Sequence, residues 1–178
     1  MSLLFDESSI NKMIVRLSYE IIEKNKQLQD LVLVGIRTRG VPLAHRIATQ
    51  ISKIENCIIP VASLEIKQYR DDIPLRERGS KDAMDPAINL NGKRVILIDD
   101  VLHKGRTVRA AMDAIVDQGR PLQIQLLVLI DRGHREFPIR PDYIGKNIPT
   151  SDYESIKVRL REMDGEDCAL IIRKGEEE

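Results

Sequence analysis

The stretch RVILIDDVLHKGRTVR, Arg94 to Arg109, runs three patterns together. Val95 to Ile98 form an apolar run of the kind a buried strand needs, Asp99 and Asp100 follow at its carboxyl end, and Gly105, Arg106 and Thr107 lead into an apolar helical pattern. The order is strand, ligand loop, helix start. A helix start offers backbone N–H groups without intrahelical partners and the positive end of the helix dipole, so an anion is stabilised there. Gly105 permits close approach, Thr107 adds a hydroxyl, and Lys104 and Arg106 add charge, which together suit a phosphate. The two acids cannot bind that phosphate. They repel each other and interrupt a buried run, a cost that makes sense if they accept from hydroxyls or hold a hydrated Mg²⁺. A ligand carrying a phosphate and a diol, such as a ribose 5-phosphate, fits both halves.

The same arrangement occurs earlier. Leu31 to Ile36 (LVLVGI) reads as a strand covered on both faces, Arg37, Thr38, Arg39 and Gly40 stand at its carboxyl end, and Val41 to Ile54 read as the crossover helix. Two arginines, a hydroxyl and a glycine suit a pyrophosphate. A third strand, Gln123 to Ile130, ends on Asp131 and Arg132 after the helix Val108 to Gln118, which Gly119 and Pro121 stop. Ligands of open parallel sheets collect at strand carboxyl ends, so the three loops are expected to converge on one crevice.

Elsewhere, Asp6 or Ser8 is expected to cap a helix with an apolar stripe through Ile10, Met13, Ile14, Leu17, Ile21 and Ile22, ended by the polar run from Asn25 to Gln29. Val61 to Ile66 alternate as a strand. Tyr69, Arg70, Asp71 and Asp72 open a charged segment reaching Leu90, longer than an ordinary connection and expected to be a flexible binding loop over about 70–90. Pro138, Pro141 and Pro149 exclude a regular helix from the stretch that follows Arg132, which reads as an irregular flap. Ile156 to Leu160 and Cys168 to Ile172 are expected to pair as terminal strands, ahead of an acidic tail, Glu176 to Glu178. The expected architecture is α/β, a doubly wound parallel sheet of about four strands with a small irregular hood over about 133–155 and the chain ends, all in a single domain over 1–178.

The composition is compatible with this. At 178 residues the chain can bury a core without disulfides or a structural metal, and its 28 basic residues balance 28 acidic ones. No global field favours nucleic acid or an anionic membrane, although a local basic face stays open. Cys57 and Cys168 lie far apart in apolar surroundings without metal-ligand spacing, as small core residues of a reducing cytoplasm. No basic segment followed by a long apolar run opens the sequence, and no run approaches the ~18 residues of a membrane span, so a soluble, untargeted protein is expected.

VILIDDVLHKGRTVRA resembles the phosphoribosyl-pyrophosphate (PRPP) loop of the type I phosphoribosyltransferases. With VGIRTRG, YRDD and DRGHREFPIRPDYIGKNIPTS, nearly the whole chain resembles the family of bifunctional pyrimidine operon attenuation proteins and uracil phosphoribosyltransferases. The resemblance implies transfer of ribose 5-phosphate from PRPP to N1 of uracil, giving UMP and pyrophosphate, with Mg²⁺ carried by PRPP and no metal held by the protein alone. It implies that Asp99 and Asp100 orient the ribose hydroxyls, that Lys104, Gly105, Arg106 and Thr107 anchor the 5-phosphate, and that Val101, Leu102 and His103 complete the substrate-binding loop. Thr38, Arg39 and Gly40, with Arg70, would attend the pyrophosphate. Tyr143 and Ile144 would meet the base, by analogy with a PDF- or PDY-type hood segment in purine-salvage relatives.

The sequence departs from that family at Lys104, a position usually Thr, and at His103, usually Tyr or Phe. A long flexible cation replaces a compact donor, so transferase activity is expected to be weaker than UMP binding, and His103 becomes a candidate acid or base near C1′. The resemblance also implies binding of pyrimidine operon leader mRNA, with Arg16, Arg132, His134, Arg135, Arg140 and Lys146 as a basic face, and a homo-oligomer. Val15 and Tyr19 stand where many relatives have Thr and His. A purine-salvage phosphoribosyltransferase is the alternative, disfavoured because GKNIPTS replaces the aromatic and acidic residues usual in that group.

Overall fold

The computed structural model describes residues 1–71, 74, 83–85, 88–173 and 175. Twelve elements follow in chain order: β1 (Ser2–Phe5), α1 (Glu7–Lys24), β2 (Leu31–Ile36), α2 (Gly40–Glu55), β3 (Val61–Leu64), β4 (Arg94–Leu102), α3 (Arg106–Gln118), β5 (Gln123–Asp131), β6 (Tyr143–Asn147), β7 (Glu154–Arg159), α4 (Arg161–Asp164) and β8 (Cys168–Arg173). Most of the loop expected over 70–90 lies outside the described residues.

Strands β3-β2-β4-β5-β6 form a five-stranded parallel sheet in that order. Alternation sorts its side chains. Leu31, Leu33, Ile96, Ile98, Leu127 and Leu129 pack under α1 and α2, while Val32, Val34, Val95, Leu97, Leu126 and Val128 pack under α3. Both faces are covered, which is why these strands are apolar throughout. α1 starts on Asp6, whose side chain accepts from the Ser9 N–H at 2.9 Å, and stops at Asn25.

The fifth strand is a correction to the expected four. β6 lies inside the stretch read as an irregular flap, because Pro138, Pro141 and Pro149 flank residues 143–147 without falling among them. The hood is also more regular than expected. β7 and β8 pair antiparallel as the terminal strands, and β1, too short to show a period, joins the other edge of β8 in a three-stranded sheet. Arg46 on α2 fastens this hood to the core through Glu162 at 2.6 Å and Asp167 at 2.8 Å. No described helix is long and apolar enough to cross a membrane.

The chain runs from β2 out to β3 and then back past β2 to β4. The strand order therefore reverses between β2 and β4, the place where open α/β sheets form a ligand crevice.

Candidate active site

β2 pairs with β4 only as far as Gly35 opposite Ile98, then turns into α2, whereas β4 continues along β5 to Leu102 opposite Asp131. Asp99 and Asp100 therefore sit inside a strand whose partner on one side has already left. Asp99 is 8% exposed and Asp100 half-buried. Each carboxylate makes a local bond, Asp99 Oδ1 accepting from the Asp100 N–H at 3.0 Å and Asp100 Oδ1 from the Val101 N–H at 2.9 Å. Burial, and then the negative charge of Asp100, hold Asp99 well above the ordinary carboxylate range; burial also raises Asp100, against the opposing pull of Arg39. A buried acid pair of this kind can receive hydroxyls or a positive ion.

The two loops expected to bind anions meet across this pair. A 470 Å³ cavity is lined by Thr38, Arg39, Arg70, Asp99, Asp100 and Thr107, among others. A 360 Å³ cavity lined by residues 102–108 adjoins it, the two sharing Arg70, Asp99, Val101 and Thr107. Gly105 precedes α3 with φ at 91°, and a Cβ there would meet Ile139 at 3.3 Å, so only glycine fits the turn without strain. Gly40 starts α2, one residue before the expected Val41, and a Cβ on it would lie 2.2 Å from the Ile98 carbonyl oxygen. Its missing side chain lets the Thr38–Gly40 loop lie against the strand that carries the acid pair. The Arg37–Thr38 peptide is cis.

A third cavity, 450 Å³, lies between this loop and the hood, lined by His103, Lys104, Arg132, His134, Asp152 and Ser155, among others. Burial, followed by the charges of Arg132, Lys104 and His134, lowers the His103 pKa, so this imidazole is neutral near pH 7. His103 also packs edge-on to His134, ring centres 6.0 Å apart.

Several expected residues are placed elsewhere. Tyr143 is fully buried near the start of β6, its hydroxyl donating to Gln125 Oε1 at 3.0 Å and accepting from Asn25 Nδ2 at 2.8 Å. Ile144 follows it opposite Val128, with its carbonyl accepting from Arg16 at 3.0 Å. Neither lines the crevice cavities, because the hood segment assumed to cover the base is a sheet strand. Tyr143→Phe is accordingly expected to lower stability by about 1 kcal/mol, through the polar atoms left on Asn25 and Gln125. Melting curves with and without UMP check this, and the nucleotide-induced shift should match that of the unmodified protein.

The basic candidates also separate. Arg132 is 7% exposed, its Nε bound to Thr150 Oγ1 at 2.9 Å and its Nη2 to the Glu154 carbonyl at 2.5 Å, so it builds the hood instead of a surface contact. Arg135 is half-buried, paired with Asp131 and bound to the carbonyls of His103 at 2.8 Å and Ile139 at 3.0 Å. Arg16 is engaged by Glu20 and the carbonyls of Ile144 and Gly145, and His134 by the Thr150 carbonyl. Arg140 and Lys146 are exposed.

Sequence reasoning missed Asp152, Ser155 and Glu136, which reach the site only through the fold of the hood and carry no local pattern of their own.

Residues 4–162 match the phosphoribosyl transferase domain family. The chain is 53% identical over 178 residues to the bifunctional protein PyrR of Listeria welshimeri, covering 96% of each, and 52% identical over 172 residues to the bifunctional protein pyrR of Enterococcus faecalis, covering 97% of this chain and 96% of that one. A solved hypoxanthine-guanine phosphoribosyltransferase from Bacillus anthracis superposes with a TM-score of 0.73 over 97% of both chains, at 17% identity, a likeness of fold alone. With its reversed strand order and two loops that meet the acid pair at one crevice, this chain belongs to the phosphoribosyl transferase family, alongside the bifunctional PyrR proteins.

Proposed function

We propose that the chain transfers ribose 5-phosphate from PRPP to uracil and uses the same pocket to sense UMP while regulating pyrimidine operon leader mRNA. The observation that carries the catalytic half is the meeting of the Thr38–Gly40 loop, the acid pair and the residue 103–107 loop in adjoining cavities. The 5-phosphate lies at the start of α3, taking backbone amides and Thr107. Asp99 and Asp100 accept from the 2′ and 3′ hydroxyls. Thr38, Arg39 and Arg70 face the pyrophosphate, and the base enters the hood cavity beside His103.

The C1′–O bond breaks with its electrons passing to pyrophosphate, while uracil N1, its proton given up, bonds C1′. The protein's contribution is alignment and neutralisation of the leaving charge. Neutral His103 can accept a proton at this end of the cavity. Asp99 and Asp100 fit a cation that arrives on PRPP, since they supply two adjacent carboxylates, one buried and one half-buried. Mg²⁺ so held would add positive charge to the departing pyrophosphate.

For the regulatory half, the likeness to relatives named bifunctional supports a second activity beside transfer, and the exposed Arg140 and Lys146 are the basic residues we assign to an RNA contact. The test is direct. Pyrophosphate should appear from PRPP, Mg²⁺ and uracil, and not when hypoxanthine or guanine replaces uracil; the reverse preference would move the chain to the purine reading. A leader hairpin should bind with an affinity that falls with salt, and Arg140→Ala should reduce the salt slope by about 0.7–1, the change that accompanies one phosphate no longer neutralised. An unchanged slope would remove Arg140 from the interface.

A further inference from the structure

Two hood carboxylates hold three cations of the crevice loops, Arg39, Lys104 and Arg106, and they do so differently. Asp164 takes Arg39 at two points, Nε to Oδ2 at 3.2 Å and Nη2 to Oδ1 at 2.8 Å, while its Oδ2 also accepts from the Leu160 N–H at 2.9 Å. It is built into its own turn. Glu136 instead spans the phosphate loop, with Oε1 2.6 Å from Lys104 Nζ and Oε2 2.6 Å from Arg106 Nη2 and 2.7 Å from its Nε. The Glu136 side chain is 35% exposed, and both cations are more exposed than that. The backbone beside it grips the same loop: the N–H groups of Glu136 and Phe137 donate to the Lys104 carbonyl at 2.9 and 3.3 Å. Lys104 thus reaches Glu136 while still lining the cavity formed by Gly105, Arg106 and Thr107.

We propose that Glu136 sets the ligand affinity of the phosphate loop, as an internal counter-anion for Lys104 and Arg106 that a ligand phosphate must displace. This rests on the assignment of residues 103–107 to the 5-phosphate. A carboxylate brings one negative charge and two acceptor oxygens; a phosphomonoester brings about −1.5 to −2 and three, and also takes the amides at the helix start. Only a ligand that gains more from the loop than Glu136 does can shift it, since a ligand moves an equilibrium by its differential affinity alone. Every anion meets this displacement cost, and a dianionic phosphomonoester, which gains most from the loop, keeps the most affinity after it. Lys104 raises the cost, because it gives Glu136 a second cation to hold.

Calorimetric titration with UMP and with uridine tests the proposal on the unmodified protein, Glu136→Gln, Lys104→Thr and the double variant. Exposed ion pairs are weak, so removing the competing carboxylate should tighten UMP by only roughly 3- to 10-fold and leave uridine unchanged. The gain should be smaller in the Lys104→Thr background, where Glu136 competes for one cation instead of two. Should Glu136→Gln fold poorly, Glu136→Asp, which keeps the charge but shortens the reach, should give an intermediate gain. UMP affinity equal to or weaker than that of the unmodified protein, in a folded Glu136→Gln, overturns the proposal while leaving the phosphate assignment in place. An unmodified protein that binds UMP no better than uridine overturns both.

Discussion

Asp99→Asn and Asp100→Asn are each expected to cut the transferase rate by about 10²-fold or more, as follows when an interaction made chiefly in the transition state is removed. Stability should move the opposite way for Asp99. Its folded pKa is raised by burial and by Asp100, so the folded state binds the proton more tightly than the unfolded chain does. The associated stability is fully present below the unfolded carboxylate pKa of about 3.9 and is lost as pH rises toward the folded value. At pH 7, above the unfolded value, that stability is diminished, and Asp99→Asn, which keeps an oxygen for the Asp100 N–H and carries no titratable group, should melt at a higher temperature than the unmodified protein. The difference should close as pH falls toward 4. Melting curves between pH 4 and 8, run beside initial rates with PRPP and uracil, give both readouts. A variant that keeps its activity would show the pair to be structural, and one that melts lower at pH 7 would show that the carboxylate is compensated by contacts its asparagine cannot make.

Gly40→Ala should have the largest effect on the fold. The added carbon would lie 2.2 Å from the Ile98 carbonyl oxygen, a backbone atom, and 3.3 Å from the Gly35 carbonyl carbon. Gly35 and Ile98 are partners in the β2–β4 register, so no flexible side chain can yield. Either α2 lifts from the sheet or the two strands part. Overpacking of this kind costs about 3 kcal/mol or more, which for a domain of this size is roughly 6–12 °C in melting temperature. Because the same movement carries Thr38 and Arg39 away from the acid pair, the KM for PRPP should rise as stability falls. An alanine variant with unmodified melting temperature and KM would mean that the loop is not set by this contact.

The sequence alone determined the features whose physics is local. An apolar run of four to eight residues with a loop of special residues at its end marks a buried parallel strand and its ligand loop wherever it occurs, and β2, β4 and β5 each carry one. The acid pair stood out because two charges interrupt such a run, and the cap at Asp6 because its partner is three residues away. Tertiary structure decided the rest. β6 was hidden because its neighbouring prolines describe the connections and not the strand, and its pairing is fixed by β5. Tyr143 turned inward because Asn25, 118 residues distant, and Gln125 await its hydroxyl in the core. Arg132 was read as surface charge, yet the chain folds Thr150 and Glu154 over it. Glu136 reaches Arg106 across 30 residues and Lys104 beside it. Local patterns report what a residue prefers along its own segment; which distant partner satisfies a buried hydroxyl or a loop cation depends on the packing of segments far apart in the chain, and that is fixed only when the sheet and hood close on each other.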